Sequence, residues 1–268
     1  MDEIQLKKNE KSTKLKRGKK RAKRGGMQDL IVANKPKSSV AEAIKSIKTN
    51  ILFSSVDKEL KTILVTSPES GDGKSFIAAN LATAFAQDGK KVLIIDGDMR
   101  KGRQHEIFGL DNDATMGYSN YILKFREADN SGMMSFIKSE VYVKQTCIPG
   151  VYLLPAGPTP PNPLELISSV NNRRLLESVK NQYDIVIIDC PPALGLSDAL
   201  VMSKYTDVNI VTISNAKTRT DQLESVKKNF EKVNSKIAGV VINKAKNTKG
   251  GYYSSYYADE YYANLNND

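Results

Sequence analysis

Ser67-Pro68-Glu69-Ser70-Gly71-Asp72-Gly73-Lys74-Ser75 decides how this chain folds. It follows a short apolar run, Thr62–Thr66 (TILVT), and precedes a helix-forming run, Phe76–Gln87 (FIAANLATAFAQ). A strand, a glycine-bearing turn and a helix opening on Gly-Lys-Ser make a cradle for phosphate. Glycines let backbone N–H groups curl round phosphate oxygens, and the helix N-terminus adds positive potential. The spacing assigns Lys74 to the β- and γ-phosphates of a nucleotide and the Ser75 hydroxyl to Mg2+. Ser70, Gly71, Asp72, Gly73 and Phe76 complete the expected nucleotide-binding stretch. Pro68 stands where such loops carry their first glycine, so the strict motif is not met.

Outward from this stretch, apolar runs alternate with helical patterns. Val92–Asp96 (VLIID), Val151–Leu154 (VYLL), Ile185–Asp189 (IVIID), Val208–Ile213 (VNIVTI) and Ile237–Ile242 (IAGVVI) read as further strands. Continuous apolar strands are buried on both faces, as in a parallel sheet covered by helices. Ser38 caps a helix predicted to reach about Phe53, with Val40, Ile44, Ile47 and Ile51 on one face; another holds Leu223, Val226, Phe230 and Val233. The fold class is α/β, a doubly wound, mostly parallel sheet flanked by helices. Residues 111–147 are the least readable stretch. In such a sheet ligands sit outside the carboxyl ends of the strands. Asp96 and Asp98, just beyond the second strand, and Asp189, ending another, therefore face the crevice of Lys74 and Ser75. Hard oxygen ligands suit Mg2+, which makes Asp96 and Asp189 metal candidates. Asn243 follows the last strand, either reading an adenine edge or making a turn.

Composition bounds the rest. The 268 residues are 40% hydrophobic and 7% aromatic, without tryptophan. No uncharged apolar run approaches a membrane span, and the first residues are not a signal peptide, so a cytosolic protein is expected. Two cysteines exclude a disulfide scaffold, and one histidine disfavours a histidine metal site or a Ser-His triad. Of the net charge of +10, residues 1–26 hold +8, from eleven Lys/Arg against three Asp/Glu. They read as a disordered basic arm, residues 27–246 as the catalytic domain, and 247–268 as a flexible tail. Six of the twelve tyrosines lie in the last 17 residues.

These motifs resemble the bacterial tyrosine kinases of capsule and exopolysaccharide synthesis, within the deviant-Walker P-loop ATPases. The resemblance runs from about residue 36 to the C-terminus. It makes Ser67–Ser75 Walker A, Leu93–Arg100 (LIIDGDMR) Walker A′ and Ile185–Pro192 Walker B; Ala156–Ile167 (AGPTPPNPLELI) is also similar to a family stretch. The tyrosine-rich tail is the most specific feature. The related positioning ATPases lack it and carry a signature lysine where this chain has Glu69. The family's Glu-x-x-Arg-x-x-Arg ring motif is here Glu42, Lys45 and Lys48, and lysine lacks arginine's bidentate fork. A homo-oligomer is implied, and whether it closes as the family's ring stays open at this motif, although the helix that carries it is present.

What the resemblance implies is an ATP–Mg2+ protein tyrosine kinase that autophosphorylates Tyr252, Tyr253, Tyr256, Tyr257, Tyr261 and Tyr262, in trans within a homo-oligomer. Lys74 and the loop amides hold phosphates, Ser75 and Asp96 bind Mg2+, Asp189 orients its water shell, and Asp98 accepts the tyrosine proton. Arg100 either neutralises charge near the transferred phosphoryl group or forms a structural ion pair. Lys74→Met is expected to abolish transfer yet leave the fold intact, the site being read as a surface crevice. The implied partners are the cytoplasmic tail of a membrane polysaccharide co-polymerase and an opposing tyrosine phosphatase. The arm adds contact with the inner membrane surface. The rivals are an ATP-hydrolysing positioning switch and a nucleic-acid binder, the latter weakened by an arm without aromatic residues. His105 either lines the site or packs, Cys190 reads as a packed small residue, and Cys147 has no visible role.

Overall fold

A computed structural model describes residues 26–54, 59–112, 116–131, 142–215 and 217–245. All but one residue of the basic arm, and all six candidate acceptor tyrosines, lie outside these. In chain order the elements are α1 (Ile31–Asn34), α2 (Ser39–Phe53), β1 (Thr62–Thr66), α3 (Lys74–Gln87), β2 (Val92–Asp96), α4 (Gln104–Phe108), α5 (Tyr118–Ser131), β3 (Lys144–Gln145), β4 (Val151–Leu154), α6 (Pro163–Ser168), α7 (Val170–Lys180), β5 (Ile185–Asp189), α8 (Asp198–Met202), β6 (Val208–Ser214), α9 (Thr220–Lys232) and β7 (Ile237–Asn243).

The seven strands form one sheet in the order β3-β4-β2-β5-β1-β6-β7. Every pairing is parallel except β3 against β4. The continuous apolar runs feed two cores, because successive side chains point to opposite faces. Ile63 and Val65 of β1, Val92 and Ile94 of β2, and Ile185 and Ile187 of β5 join one core with α1, α2 and α3. Leu64, Leu93, Ile95, Val186 and Ile188 join the other with residues of α5, α7, α8 and α9. Both faces of β1, β2 and β5 are therefore dry, whereas β7 at the far edge is largely exposed.

The α2 cap is as expected: Ser38 accepts from the Ala41 N–H. Its buried face differs. Val40 is exposed and Lys48 is buried with Ala41, Ile44 and Ile51. Burial of Lys48 is offset by Asp88 at the end of α3 and by the Ala84 carbonyl. Lys45 pairs with Glu42 at 2.8 Å. All three side chains of the ring-motif run are thus engaged within their own chain. Residues 111–147 hold α5 and the two-residue β3, neither of which the apolar pattern disclosed.

Candidate nucleotide and phosphoryl-transfer site

The carboxyl ends of β1, β2 and β5 meet at one edge of the sheet, and the loop from Ser67 to Gly73 closes over it. Gly71 (φ +94°) and Gly73 (φ +103°) turn this loop through the left-handed region. A Cβ on Gly73 would also lie 1.9 Å from Asn243 Nδ2, so the end of β7 packs where only glycine fits. Asn243 Nδ2 donates to the Asp72 carbonyl at 3.0 Å, and Asn243 Oδ1 accepts from the Lys244 N–H. Asn243 here braces the loop. The buried Asp72 carboxylate also braces it, accepting from the Glu69 N–H at 3.0 Å and the Thr218 hydroxyl at 3.3 Å. Pro68, in place of glycine, is tolerated because the loop's first residues bond the segment after β5: Ala193 N–H donates to Ser67 O and Leu194 N–H to Pro68 O.

Lys74 opens α3, whose first-turn N–H groups lack intrahelical carbonyls. Its ammonium lies 3.1 Å from Asp189 Oδ1 and 3.2 Å from Asp98 Oδ2, and 3.4 Å from Ser75 Oγ. Asp96 and Asp189 are register partners on neighbouring strands. Lys74, Asp96, Asp98 and Asp189 are all buried, so the phosphate lysine is no surface group and the crevice expected from sequence is corrected. Burial by itself lowers the Lys74 pKa, but Asp189, Asp98 and Asp96 together hold it above its ordinary value. Burial, then the Asp189 charge, push Asp96 up to about 8. Asp98 Oδ1 also accepts from the Lys101 N–H at 2.9 Å.

Arg100 forms an ion pair with Asp198, the buried first residue of α8, the structural alternative open in the sequence. Phe76 packs against the core beside α1 and α2. His105 is half-buried on α4, and burial lowers its pKa. Cys190 is buried and its thiol is pushed up by burial and by Asp189, which makes it unreactive. Cys147 is exposed. Ser70 and Gly71 offer their carbonyls to Lys217 (3.1 Å) and Lys244 (2.6 Å). Glu69 pairs with Lys217 at 2.9 Å and accepts from Gln222 at 2.6 Å.

Sequence reasoning missed Gln104, Asp198, Lys217, Thr218, Gln222 and Lys244. Each follows a strand or lies at a helix start, but only packing brings it to the loop (Lys217, Thr218, Gln222, Lys244) or to the residues behind it (Gln104, Asp198). Among the described residues no group of three or more His, Cys, Asp or Glu is set to hold a metal unaided. A magnesium ion at a phosphate loop takes phosphate oxygens and waters as well as one or two carboxylates. Two buried oxygens, Asp96 Oδ1 and Gln104 Oε1, have no hydrogen-bond partner among the described residues, which fits a hydrated cation.

A glycine-turned loop between β1 and α3, a buried lysine at the helix start and aspartates on adjacent parallel strands define a P-loop nucleotide-binding protein. The profile of the AAA domain family matches residues 60–242. The chain is 37% identical to the putative tyrosine-protein kinase CapB of Staphylococcus aureus, over 89% of this chain and 99% of that protein. It is 37% identical to the tyrosine-protein kinase YwqD of Bacillus subtilis, over 85% of this chain and 91% of that one. The crystal structure of the chimerical protein CapA2B2 superposes with a TM-score of 0.73 at 37% identity, over 82% of this chain and 92% of that one. The chain belongs to the family of bacterial tyrosine-protein kinases.

Proposed function

We propose that this protein transfers the γ-phosphoryl group of ATP to tyrosine hydroxyls of its own tail, Tyr252, Tyr253, Tyr256, Tyr257, Tyr261 and Tyr262. The observation that carries the proposal is the convergence of Lys74, Ser75, Asp96, Asp98 and Asp189 in one largely buried cluster at the strand ends, in a chain of the tyrosine-kinase family. Loop amides from Ser70 to Ser75 and the Lys74 ammonium hold the phosphates. Ser75 and Asp96 would hold Mg2+, and Asp189 would orient its waters. When bound, the metal neutralises charge on the β- and γ-phosphate oxygens. Lys74 is shared between Asp98 and Asp189, so moving its ammonium to a phosphate frees Asp98. Asp98 then takes the proton of the tyrosine hydroxyl as the tyrosyl O–P bond forms and the bridging P–O bond to ADP breaks. Arg100, two residues beyond Asp98, is neutralised by its ion pair with Asp198 and holds this side of the site in place.

The activity is read as part of capsule or exopolysaccharide synthesis, beside a membrane co-polymerase whose cytoplasmic tail activates the kinase; the likeness to CapB and to the CapA2B2 chimera supports this reading. No helix among the described residues is long and apolar enough to cross a membrane. The +8 arm supplies attraction to anionic headgroups of about 1 kcal/mol per Lys/Arg near the surface. Purified protein is incubated with ATP and Mg2+ and its phosphates are mapped by mass spectrometry. Phosphotyrosine between residues 252 and 262 is expected. ADP release without phosphotyrosine would instead establish a positioning switch. Transfer between chains is tested by mixing Asp98→Asn protein with tail-deleted active enzyme; label on the Asp98→Asn chain is the expected outcome.

A further inference from the structure

Gln104 opens α4 and is fully buried. Its backbone N–H donates to Asp96 Oδ2 at 2.9 Å. Its side-chain Nε2 donates to Asp189 Oδ2 at 2.9 Å and to the Ser75 carbonyl at 3.1 Å. One residue thus ties together β2, β5 and the first turn of α3. Both protons of the amide nitrogen are spent on acceptors. A flipped amide would set its oxygen against a carboxylate and a carbonyl, so the chemistry fixes the orientation.

The same bonds divide the work around Asp189. Its Oδ1 faces Lys74 and its Oδ2 faces Gln104. When the lysine moves to a phosphate, the amide still holds the carboxylate. Two oxygens of this cluster remain without partners among the described residues, Gln104 Oε1 and Asp96 Oδ1. Buried acceptors left bare are costly. Magnesium dehydrates reluctantly and keeps several waters, each with protons to donate. A neutral amide answers both needs, donating to the Asp189 carboxylate and the Ser75 carbonyl and accepting from a metal-bound water. A carboxylate at position 104 would only add a charge beside Asp96 and Asp189.

We infer that Gln104 is a positioning residue of the Mg2+ centre, fixing Asp96, Asp189 and the Ser75 backbone and accepting a hydrogen bond from a water of the metal's shell. The inference rests on the nucleotide-site reading above. Residues that orient metal ligands typically change metal affinity about 10–100-fold when replaced.

The test uses the full chain and Gln104→Met, an unbranched side chain of similar length without the amide. ADP binding is measured by calorimetry in EDTA and in saturating Mg2+, and Mg2+ is titrated into the ADP complex. The expected result is an EDTA affinity within about twofold of wild type and a Mg2+ affinity weakened about 10–100-fold. Equal losses in EDTA and in Mg2+ would make Gln104 a packing residue and overturn the inference, as would an unchanged Mg2+ titration. If Gln104→Met does not fold, the wild-type side-chain NH2 resonances of Gln104 decide. They should shift when Mg2+ joins the ADP complex beyond any shift with ADP alone; no further shift overturns the inference. A wild-type protein whose ADP affinity ignores Mg2+ would refute the nucleotide-site reading itself, an outcome distinct from any behaviour of the variant.

Discussion

Replacing Lys74 by methionine should cost the fold as well as the phosphate contact. Methionine keeps most of the unbranched stem, so the packing change is small and the charge is what disappears. The ammonium sits within 3.2 Å of both Asp98 and Asp189, whose side chains are 5% and 0% exposed. Removing one partner of a buried ion pair leaves an uncompensated charge and typically costs about 3–5 kcal/mol. For a body of this size, at roughly 2–4 °C per kcal/mol, the melting temperature should fall by about 6–20 °C. The sign with pH follows from Asp96, already pushed up to about 8. A carboxylate whose folded pKa exceeds its unfolded value binds more protons when folded, so its contribution worsens as pH rises from about 4 toward 8. Without Lys74 that window widens, and the gap between variant and wild type should grow from pH 5 to pH 8. The assay is thermal unfolding of both proteins, free of nucleotide, across that range. Asp189→Asn added to Lys74→Met should recover part of the loss. A Lys74→Met melting temperature within about 2 °C of wild type at pH 8 would refute the reasoning.

Gly73→Ala places a Cβ 1.9 Å from Asn243 Nδ2 at φ +103°. Calorimetry should show nucleotide binding lost, with about 1–3 kcal/mol of stability; adding Asn243→Ala should relieve the clash but not the backbone strain. Asp98→Asn should abolish phosphotyrosine on immunoblots while retaining ADP binding; loss of binding would make Asp98 a structural or metal-site group. His105 is the only histidine, so its single ring resonance gives a clean titration. Burial lowers its pKa from 6.5, so the neutral form's contribution to stability is present above that value and lost as pH falls through the folded pKa. A midpoint at or above 6.5 contradicts this. Residues 1–26 should increase co-sedimentation with anionic liposomes at moderate salt; equal sedimentation of a chain lacking them rejects the membrane role.

Six of the seven strands were legible: the central ones because both their faces are dry, so Ile63, Leu64 and Val65 are all apolar whichever way they point, and β7 by its apolar run although it is largely exposed. The two-residue β3 carries no such run and exists only by pairing with β4. On α2 the apolar period extends to Val40, yet that residue lies in the first turn and faces solvent. Lys48 occupies the buried stripe because Asp88, 40 residues away, satisfies it. The site shows the same division. Lys74, Ser75, Asp96, Asp98 and Asp189 could be placed because strand ends and a glycine turn fix where they point. Gln104, Thr218 and Lys244 reach the loop only through contacts between distant segments, as does the ion pair of Arg100 with Asp198. The burial of Lys74 was hidden likewise, since a motif names a lysine without telling how deep it sits.

The junction at Asn243 and Lys244 sets a limit on where the chain can be cut. Both side chains fasten to the loop, through the Asp72 and Gly71 carbonyls, and the tyrosine segment begins eight residues beyond Lys244. A truncation after Ala245 removes every candidate acceptor and keeps both fasteners. One that reaches Asn243 also unseats the turn at Gly73. The deeper deletion would abolish phosphotyrosine by crippling the donor side of the reaction, and the loss would be mistaken for the absence of acceptors. Residue 245 is therefore the boundary for separating the nucleotide site from the candidate acceptor tyrosines.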